Sequence, residues 1–303
     1  MERAIDDDAA ARLAAFIGPF RVEPRSNVHL ERDFDPAFKG GIPSKEDAVE
    51  LLQRGVDLLS DYQARLYAED ARALLVVLQA LDAAGKDGTI KHVMSGVNPQ
   101  GVTVHSFKVP SAEELDHDYL WRYQQKLPGR GTIGIFNRSH YEEVLVVRVH
   151  EELLERQKLP PGSRGNAIWK RRYREINNWE RYLNDNGIRI VKLFLNLSKA
   201  EQRQRFLRRI DLPDHNWKFE TGDVRERAYW DDYQRAYSEM LTHTSTKWAP
   251  WHVIPADRKW FARAAAAAVI ANALIELDPR YPGVSDARRD ELARIELELQ
   301  AED

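Results

Sequence analysis

The stretch LLVVLQALDAAGKDGT, residues 74–89, decides the fold of this chain. Leu74 to Leu78 form a short apolar run that predicts a buried strand, and a turn carrying Gly85, Lys86 and Gly88 follows it. A helical pattern comes next, and the apolar residues on one of its faces are Ile90, Val93, Met94 and Val97. This order indicates a phosphate cradle, because backbone N–H groups and a helix N-terminus would face the anion.

The turn departs from the common phosphate-loop pattern G-x-x-x-x-G-K-[ST] at two positions. Ala80 stands where the first glycine belongs, and Asp87 stands where a serine or threonine would contact magnesium. A Gly-Lys pair alone occurs often by chance. The rest of the chain must therefore decide whether the turn binds phosphate.

Four further segments have the composition of strands. They are Val102 to Val109 (VTVHSFKV), Thr132 to Phe136 (TIGIF), Ile188 to Leu197 (IRIVKLFLNL) and Trp251 to Pro255 (WHVIP). Helical patterns separate them: one begins after Ser111 with Glu114 as a capping box, and others cover His140 to Gln157, Asn166 to Asn186, the residues after Ser198 and those after Asp257. Alternating strands and helices predict a mostly parallel, doubly wound α/β sheet of five strands.

The chain divides into three parts by pattern. Residues 1–45 carry few periodic signals and are predicted to wrap the surface, residues 46–280 form one domain, and residues 281–303 form a charged helical tail. Residues 211–225 are an excursion from the central domain.

Composition excludes several classes of protein. Hydrophobic residues make up 43% of 303 residues, which is enough for a sizeable core, and the absence of cysteine excludes disulfides and thiolate chemistry. We predict a cytoplasmic protein, because the N-terminus is too acidic for a signal peptide. Ala262 to Leu277 is short for a membrane span and reads as a helix packed on a sheet. The net charge of −3 argues against a dedicated nucleic-acid module.

Basic residues nevertheless concentrate in two helical segments. The first cluster is Arg164, Lys170, Arg171, Arg172 and Arg174, and the second is Lys199, Arg203, Arg205, Arg208 and Arg209. Each could be an ordinary solvated helix face. Two such clusters beside a phosphate loop indicate instead a ligand with more phosphates than one nucleotide carries.

Acidic and amide side chains complete the predicted site. Asp82 lies inside the phosphate turn, where a carboxylate suits phosphate only if a divalent cation lies between them. Asp87 is a second candidate ligand, or a charge favoured at a helix N-terminus. Asn137 and Arg138 follow the third strand, and Glu142 or Glu143 comes one turn later. Asn137 could alternatively be a helix cap.

Five separate stretches resemble the type 2 polyphosphate kinase family. They are LQALDAAGKDG, SFKVPSAEELDHDYLWR, GIFNRSHYEEVLVVRVH, HNWKFETGD and APWHVIPADRKWF. The resemblance runs through residues 46–280. It implies a P-loop kinase-like, three-layer α/β/α fold with a helical lid at about residues 205–227. It also implies Mg²⁺-dependent transfer of a phosphoryl group between inorganic polyphosphate and a nucleotide, with Mn²⁺ as an alternative metal. The NRSHYE variant is similar to the class III branch, which is associated with AMP and ADP as acceptors.

The resemblance assigns roles by position. Asp82, Lys86 and Arg138 correspond to the catalytic residues, with Asp82 as metal ligand and Asn137 and Glu142 as further candidate ligands. The phosphate-binding set is Ala83, Ala84, Gly85, Lys86, Asp87, Gly88 and Lys91. Asn137, Arg138 and Glu142 face the nucleotide. The lid and polyphosphate set is Arg171, Arg205, Arg208, Arg209 and Lys218. The expected partners are inorganic polyphosphate and adenine or guanine nucleotides, and the expected assembly is a homodimer or homotetramer.

Two other functions stay open from the residues alone. An ATP-dependent nucleoside monophosphate kinase would share the fold, the loop and the lid. A non-catalytic polyanion-binding protein would share the basic clusters. The spacing of Trp169, Tyr173 and Trp179 fits a buried helix face better than a base-stacking platform.

Overall fold

The computed structural model describes residues 7–165, 167–213 and 221–302. Within these ranges, five strands form one sheet in the order β2-β3-β1-β4-β5, and all neighbours are parallel. The strands are β1 Ala73–Ala80, β2 Val102–Ser106, β3 Ile133–Asn137, β4 Ile188–Asn196 and β5 Trp251–Pro255. The predicted α/β sheet is therefore confirmed, although β2 ends before the predicted Val109.

The helices connect and flank these strands. They are α1 Asp7–Ile17, α2 Leu30–Asp33, α3 Lys45–Glu69, α4 Lys86–Val93, α5 Ala112–Asp116, α6 Trp121–Gln124, α7 Val146–Val149, α8 Ala167–Asp185, α9 Lys199–Asp211, α10 Thr221–Glu226, α11 Trp230–Thr244, α12 Lys259–Leu277 and α13 Asp286–Gln300. Short 3₁₀ segments cover Gly18–Phe20, Pro99–Gly101, His140–Val144, Glu151–Arg156 and Arg227–Tyr229. The predicted capping box at Ser111 and Glu114 and the predicted cap at Ser198 are both formed.

The sheet is buried on both faces, which gives the predicted three-layer α/β/α arrangement. Leu74, Val76 and Leu78 of β1 point into a core made with α3 and α12, whereas Leu75 and Val77 point into a core made with α8 and α11. This division follows from the alternation of side chains along a strand. Because both faces are covered, β1 reads as a continuous apolar run rather than an alternating one.

Small residues allow α12 to pack closely on α3. A Cβ atom added to Gly55 would lie 3.1 Å from the Cβ of Ala267, so the two helices approach at this point. The alanine run of α12 is buried throughout residues 264–268. By length and composition α12 could span a membrane, but 67% of its most apolar window is buried inside the protein. It is a core helix packed on the sheet, as predicted.

The prediction of one continuous helix from His140 to Gln157 is wrong. This segment contains 3₁₀ turns at both ends and α7 between them, and the backbone leaves helical angles at Leu145 and His150. The cause is tertiary: the buried Arg172 guanidinium donates to the carbonyl of Glu143 at 2.7 Å. The Glu143 carbonyl therefore accepts a hydrogen bond from a side chain of another helix. The periodicity of apolar residues in the sequence does not reveal such a contact.

The two ends of the chain differ in their contacts. Residues beyond α1 run along the edge of the sheet, where Arg21 forms an antiparallel bridge with His252 and the Val22 N–H donates to the Trp251 carbonyl. Near the other end, α13 is exposed along its length and begins at a Ser285 cap. The domain limits at residues 45 and 280 stay predictions.

Burial of His252 in β5 makes stability depend on pH. Burial, and next the charge of Arg21, lower the pKa of His252 from 6.5 to about 4. Between these values the unfolded chain binds a proton that the folded chain does not, so stability falls as the pH falls from 6.5 toward 4 and levels below that. We expect a loss of about 3 kcal/mol from this residue.

Chemical denaturation of a His252→Leu variant at several pH values tests this prediction. The variant should lose correspondingly less stability than the wild type between neutral and acidic pH, whereas a variant of the exposed His117 (His117→Gln) should behave as the wild type. Equal acid sensitivity in the His252 variant and the wild type would show that His252 does not titrate in this range.

Candidate active site

The phosphate turn and the end of β3 meet at the carboxyl edge of the sheet. The turn between β1 and α4 follows Ala80, and β3 pairs with β1 so that Asn137 lies opposite Leu78. The Arg138 N–H continues this pairing by donating to the Leu78 carbonyl at 3.1 Å. Parallel pairing therefore fixes Arg138 beside the turn, where an open α/β sheet binds its ligands.

Arg138 bridges two carboxylates from different parts of the chain. One of its Nη atoms lies 2.7 Å from Asp82 Oδ1 and the other lies 3.2 Å from Glu142 Oε2. The three side chains are partly exposed, at 37%, 33% and 19% for Arg138, Asp82 and Glu142. The charge of Glu142, and then that of Asp82, raise the pKa of the Arg138 guanidinium against the effect of burial. The predicted catalytic residues Asp82 and Arg138 and the predicted nucleotide residue Glu142 are thus in direct contact.

The backbone at this junction adopts left-handed conformations. Ala83 has φ of 66°, Gly85 has φ of 102° and Arg138 has φ of 64°. Glycine adopts such angles readily, but Ala83 and Arg138 do so against a steric cost. Strained residues that surrounding contacts hold in place are concentrated at functional sites.

Asn137 contacts the start of α4. Its Nδ2 donates to Asp87 Oδ1 at 2.7 Å, and the Asn137 side chain is buried. Asn137 therefore ties the strand end to the phosphate turn instead of capping its own helix. Its amide nitrogen is bound to Asp87, so only the amide oxygen could serve in the predicted metal-binding role.

Lys86 folds back over the turn. Its Nζ donates to the Ala80 carbonyl at 2.8 Å, and the Leu81 carbonyl is 3.5 Å away. Burial and the nearby charge of Arg138 lower the pKa of Lys86 to about 8, although Asp82 and Glu142 act in the opposite direction. A bound phosphate anion would favour the charged ammonium, so Lys86 suits the role of a phosphate ligand.

Arg205 and Gln202 of α9 hold the turn from the other side. Arg205 donates from one Nη atom to the carbonyls of Ala83 and Ala84, at 3.1 and 2.8 Å. Its other Nη atom donates to the carbonyl of Ala256 after β5, and its Nε pairs with Glu201. The side chain is buried, so its guanidinium clamps the phosphate turn to the β5–α12 connection. Gln202 donates to the Asp82 carbonyl at 3.0 Å.

The remaining predicted basic residues have separate locations. Arg208 lies 3.4 Å from Glu201, the Arg209 guanidinium lies over the Phe206 ring, and Arg171 donates to the Ser163 carbonyl. Lys91 is exposed on α4. Lys218 lies outside the described residues, as does part of the predicted lid, whose flanking helices are α9 and α10.

A cleft opens beside the bridged carboxylates. Asp82, Arg138 and Glu142 form its charged side, and its aromatic side consists of Trp230, Tyr233 and Tyr237. The rest of its lining consists of Ala80, Leu81, Val146, Gln202, Glu226 and Arg227. The cleft brings charged groups and aromatic rings together, but its volume is about 30 Å³ and the three aromatic side chains are buried, so in this conformation it is too small to hold a nucleoside.

The oxygen donors at this edge suit magnesium. Mg²⁺ binds to one or two carboxylates and completes its shell with water and phosphate oxygens. Asp82 and Glu142 line the cleft with carboxylates, whereas Asn137, the third predicted ligand, is not among its lining residues. In the described part of the chain no group of three or more acidic or histidine side chains could hold a metal ion by itself. The donor set therefore fits a metal that arrives with its phosphate ligands.

A buried charged network supports the turn that carries Glu142. Lys192 Nζ of β4 donates to Glu180 Oε2 at 2.7 Å, to the Tyr141 hydroxyl at 2.8 Å and to the Thr244 carbonyl at 2.7 Å. Tyr141 in turn donates to Glu180 Oε1 at 2.7 Å, and His140 Nε2 lies 3.3 Å from the same atom. Since residues 140–144 form one 3₁₀ segment, the network fixes the residues directly before Glu142.

This network was not predicted from the sequence. The available signal was a lysine at the centre of IRIVKLFLNL, a segment otherwise typical of a buried strand. Because a buried lysine requires a counter-charge, this lysine predicts an acidic residue on a helix that packs against the strand. His140 packs against the Tyr141 ring and forms a hydrogen bond with Glu180.

Comparisons with known proteins identify the family of this chain. The family model described as polyphosphate kinase 2 matches residues 42–281. An "ADP-polyphosphate phosphotransferase" of Rhodopseudomonas palustris is 51% identical over 92% of this chain and 97% of its own length. An "AMP/ADP-polyphosphate phosphotransferase" of Meiothermus ruber is 46% identical over 87% of this chain and 94% of its own length. The crystal structure of polyphosphate kinase 2 from Arthrobacter aurescens superposes with a TM-score of 0.83 at 40% identity, covering 91% and 94% of the two chains.

Removing one member of the buried network should strongly destabilise the fold. A Lys192→Met variant leaves the Glu180 carboxylate buried without its main partner, which should lower the free energy of unfolding by about 3–5 kcal/mol. Denaturant titration measures this change. Arg181→Gln is the matched control on α8, because Arg181 is 65% exposed, with a surface ion pair to Asp185 and its guanidinium over the Trp248 ring.

A second variant separates the charge effect from packing. Combining Lys192→Met with Glu180→Gln removes both buried charges and should recover part of the lost stability. If the losses of unfolding free energy in Lys192→Met and Glu180→Gln simply add in the double variant, the two side chains are not energetically coupled.

Proposed function

The chain belongs to the polyphosphate kinase 2 family, and we propose that it phosphorylates AMP and ADP with the terminal phosphoryl group of inorganic polyphosphate. The chain is a phosphotransferase, as its relatives are. The observation that carries the residue-level proposal is the contact of Arg138 with both Asp82 and Glu142 beside the phosphate turn. This contact places one cation and two candidate metal ligands at a single point.

The reaction that we propose needs alignment and charge neutralisation more than covalent help. A terminal phosphate oxygen of the nucleotide attacks the terminal phosphorus of polyphosphate. The P–O bond to the next phosphate breaks, and the chain leaves one phosphate shorter. The attacking oxygen is already ionised, so the protein does not have to supply a general base.

The named residues divide this task. Lys86 and the backbone N–H groups of the turn hold phosphate oxygens of the donor, and Arg138 offsets the charge that develops on the oxygens in transfer. Asp82 would hold Mg²⁺, with Asn137 and Glu142 as further ligands. When bound, Mg²⁺ would neutralise phosphate charge at the reacting centre.

The nucleoside would enter the cleft lined by Trp230, Tyr233 and Tyr237, which must widen from about 30 Å³ to admit it. The acceptor phosphates would then point toward Arg138 and Glu142, which line the same cleft. Guanine nucleotides stay a further predicted acceptor, and a homodimer or homotetramer stays the predicted assembly. We place the reaction in the cytoplasm, which a chain without cysteine permits.

Family membership does not favour either alternative function. An ATP-dependent monophosphate kinase would share this fold, but the similar proteins are phosphotransferases named for polyphosphate. A non-catalytic polyanion-binding protein would have no use for a carboxylate pair at the centre of its anion site.

An ATP-free assay tests the proposed function. The purified protein is incubated with ADP, long-chain polyphosphate and Mg²⁺, and in parallel with AMP, and the nucleotides are separated by chromatography. We expect ATP from ADP, and ADP followed by ATP from AMP. Phosphorylation of AMP by ATP without any product from polyphosphate would contradict the proposal.

Substitution of Lys86 tests the assignment of the phosphate turn. A Lys86→Met variant should lower kcat/KM for polyphosphate by about 10²–10³, as does the removal of other preorganised charge stabilisers. Arg181→Gln removes a surface cation from α8 and should leave kcat/KM unchanged. If Lys86→Met keeps wild-type turnover, the lysine does not contact the reacting phosphates.

A further inference from the structure

Residues 224–229, which we call the strap, form part of the wall of the cleft. They comprise the end of α10 and the 3₁₀ turn before α11. Glu226 and Arg227 of the strap line the cleft together with Asp82 and Arg138. Because the volume of the cleft is only about 30 Å³, a nucleoside enters only if part of this lining moves.

The strap lacks the apolar anchors that hold the other walls of the cleft. None of the side chains of residues 224–229 is buried, whereas Tyr233 and Tyr237 of α11 belong to the core on one face of the sheet. Arg138 is fixed by its backbone hydrogen bond to β1. Segments with few buried apolar contacts open locally at a low cost in free energy. The strap is therefore the part of the lining that can move without unfolding the core.

Polar contacts hold the strap in place at Glu226. Its Oε2 atom accepts a hydrogen bond from the Tyr233 hydroxyl at 2.8 Å and lies 3.0 Å from His150 Nε2. Since a carboxylate only accepts hydrogen bonds, the histidine is the donor in this pair. His150 directly follows α7, whose Val146 also lines the cleft. The hydrogen bond from His150 to Glu226 therefore joins two segments of the cleft wall that are 76 residues apart in the sequence.

Two further contacts support this arrangement. The Tyr229 ring packs edge-on against the His150 ring, with the ring centroids 4.7 Å apart. Arg227 donates to Gln202 Oε1 at 2.7 Å, and Gln202 donates to the Asp82 carbonyl of the phosphate turn. His150 itself is not among the residues that line the cleft. It would therefore act on a bound nucleotide only through the strap.

We propose that His150 is a positioning residue that sets the affinity for the nucleotide, because its hydrogen bond to Glu226 holds the strap in the closed position. This inference rests on the proposed function, which puts the nucleoside in this cleft, and it adds the contact that controls entry. In the free protein the closed form predominates, and ADP binds only to molecules whose strap has opened. The apparent affinity is reduced by the fraction of open molecules, so weakening the hydrogen bond should tighten binding.

Nucleotide binding to His150 variants tests this proposal. In His150→Leu the strap loses its hydrogen bond to the end of α7. The Kd for ADP with Mg²⁺, measured by calorimetry without polyphosphate, should therefore fall about fivefold. His150→Gln keeps a donor for Glu226 and should bind ADP as the wild type does. His117→Leu makes the same change at an exposed histidine outside the cleft lining and should leave the Kd unchanged.

Hydrogen exchange, read by mass spectrometry, provides the second measurement. In the wild type the backbone amides of the strap should exchange faster than those of α11, because the strap opens without the core. In His150→Leu the strap amides should exchange about fivefold faster again, while α11 should exchange as in the wild type. This measurement depends neither on turnover nor on nucleotide binding.

Distinct outcomes separate the two claims. A folded His150→Leu variant with an unchanged or higher Kd would overturn the role of His150, as would a His150→Gln variant that binds ADP as tightly as His150→Leu. If the leucine variant does not fold, exchange in the wild type decides, and strap amides that exchange as slowly as those of α11 contradict the proposal. A wild-type protein that does not bind ADP would instead contradict the proposed function.

Discussion

The contact of Arg138 with Asp82 and Glu142 is the constraint on which the rest of the site depends. Asp82 comes from the turn after β1, and Arg138 and Glu142 come from the segment after β3. The two segments meet because β1 and β3 are parallel neighbours whose carboxyl ends lie at the same edge. Surrounding contacts hold left-handed backbone at Ala83 and Arg138, which shows that this junction is determined by tertiary structure.

Buried and exposed cations have different tasks in this protein. Arg205, Arg172 and Lys192 are buried, and their donors are bound to carbonyls or carboxylates that shape the site. Arg138 is partly exposed and still paired, and we propose that it serves both the fold and the ligand. A simple count of basic residues near a phosphate turn therefore overstates the number available to a polyanion.

Much of the fold was predictable because it depends on local patterns. Each of the five strands is an apolar or alternating run, and the caps at Ser111 and Ser198 follow from residues three positions apart. The positions of the turn after β1 and of Arg138 after β3 were also predictable, because they follow buried strands directly, and their roles stay predictions. The prediction of one helix over residues 140–157 was wrong, because the side chain of Arg172, distant in the sequence, donates a hydrogen bond to the Glu143 carbonyl. The clamp by Arg205 and the Lys192 network depend on similar distant contacts, which one sequence does not reveal.

A double-mutant cycle on Asp82 and Arg138 tests the central claim most directly. The value of kcat/KM with polyphosphate and ADP is measured for Asp82→Asn, for Arg138→Met and for the double variant. If the two side chains act as one unit, each single variant should lose about 10²–10³, and the double variant should lose little more than the worse single variant. If the two losses multiply in the double variant, the side chains act independently, and the ion pair between Arg138 and Asp82 has no catalytic importance.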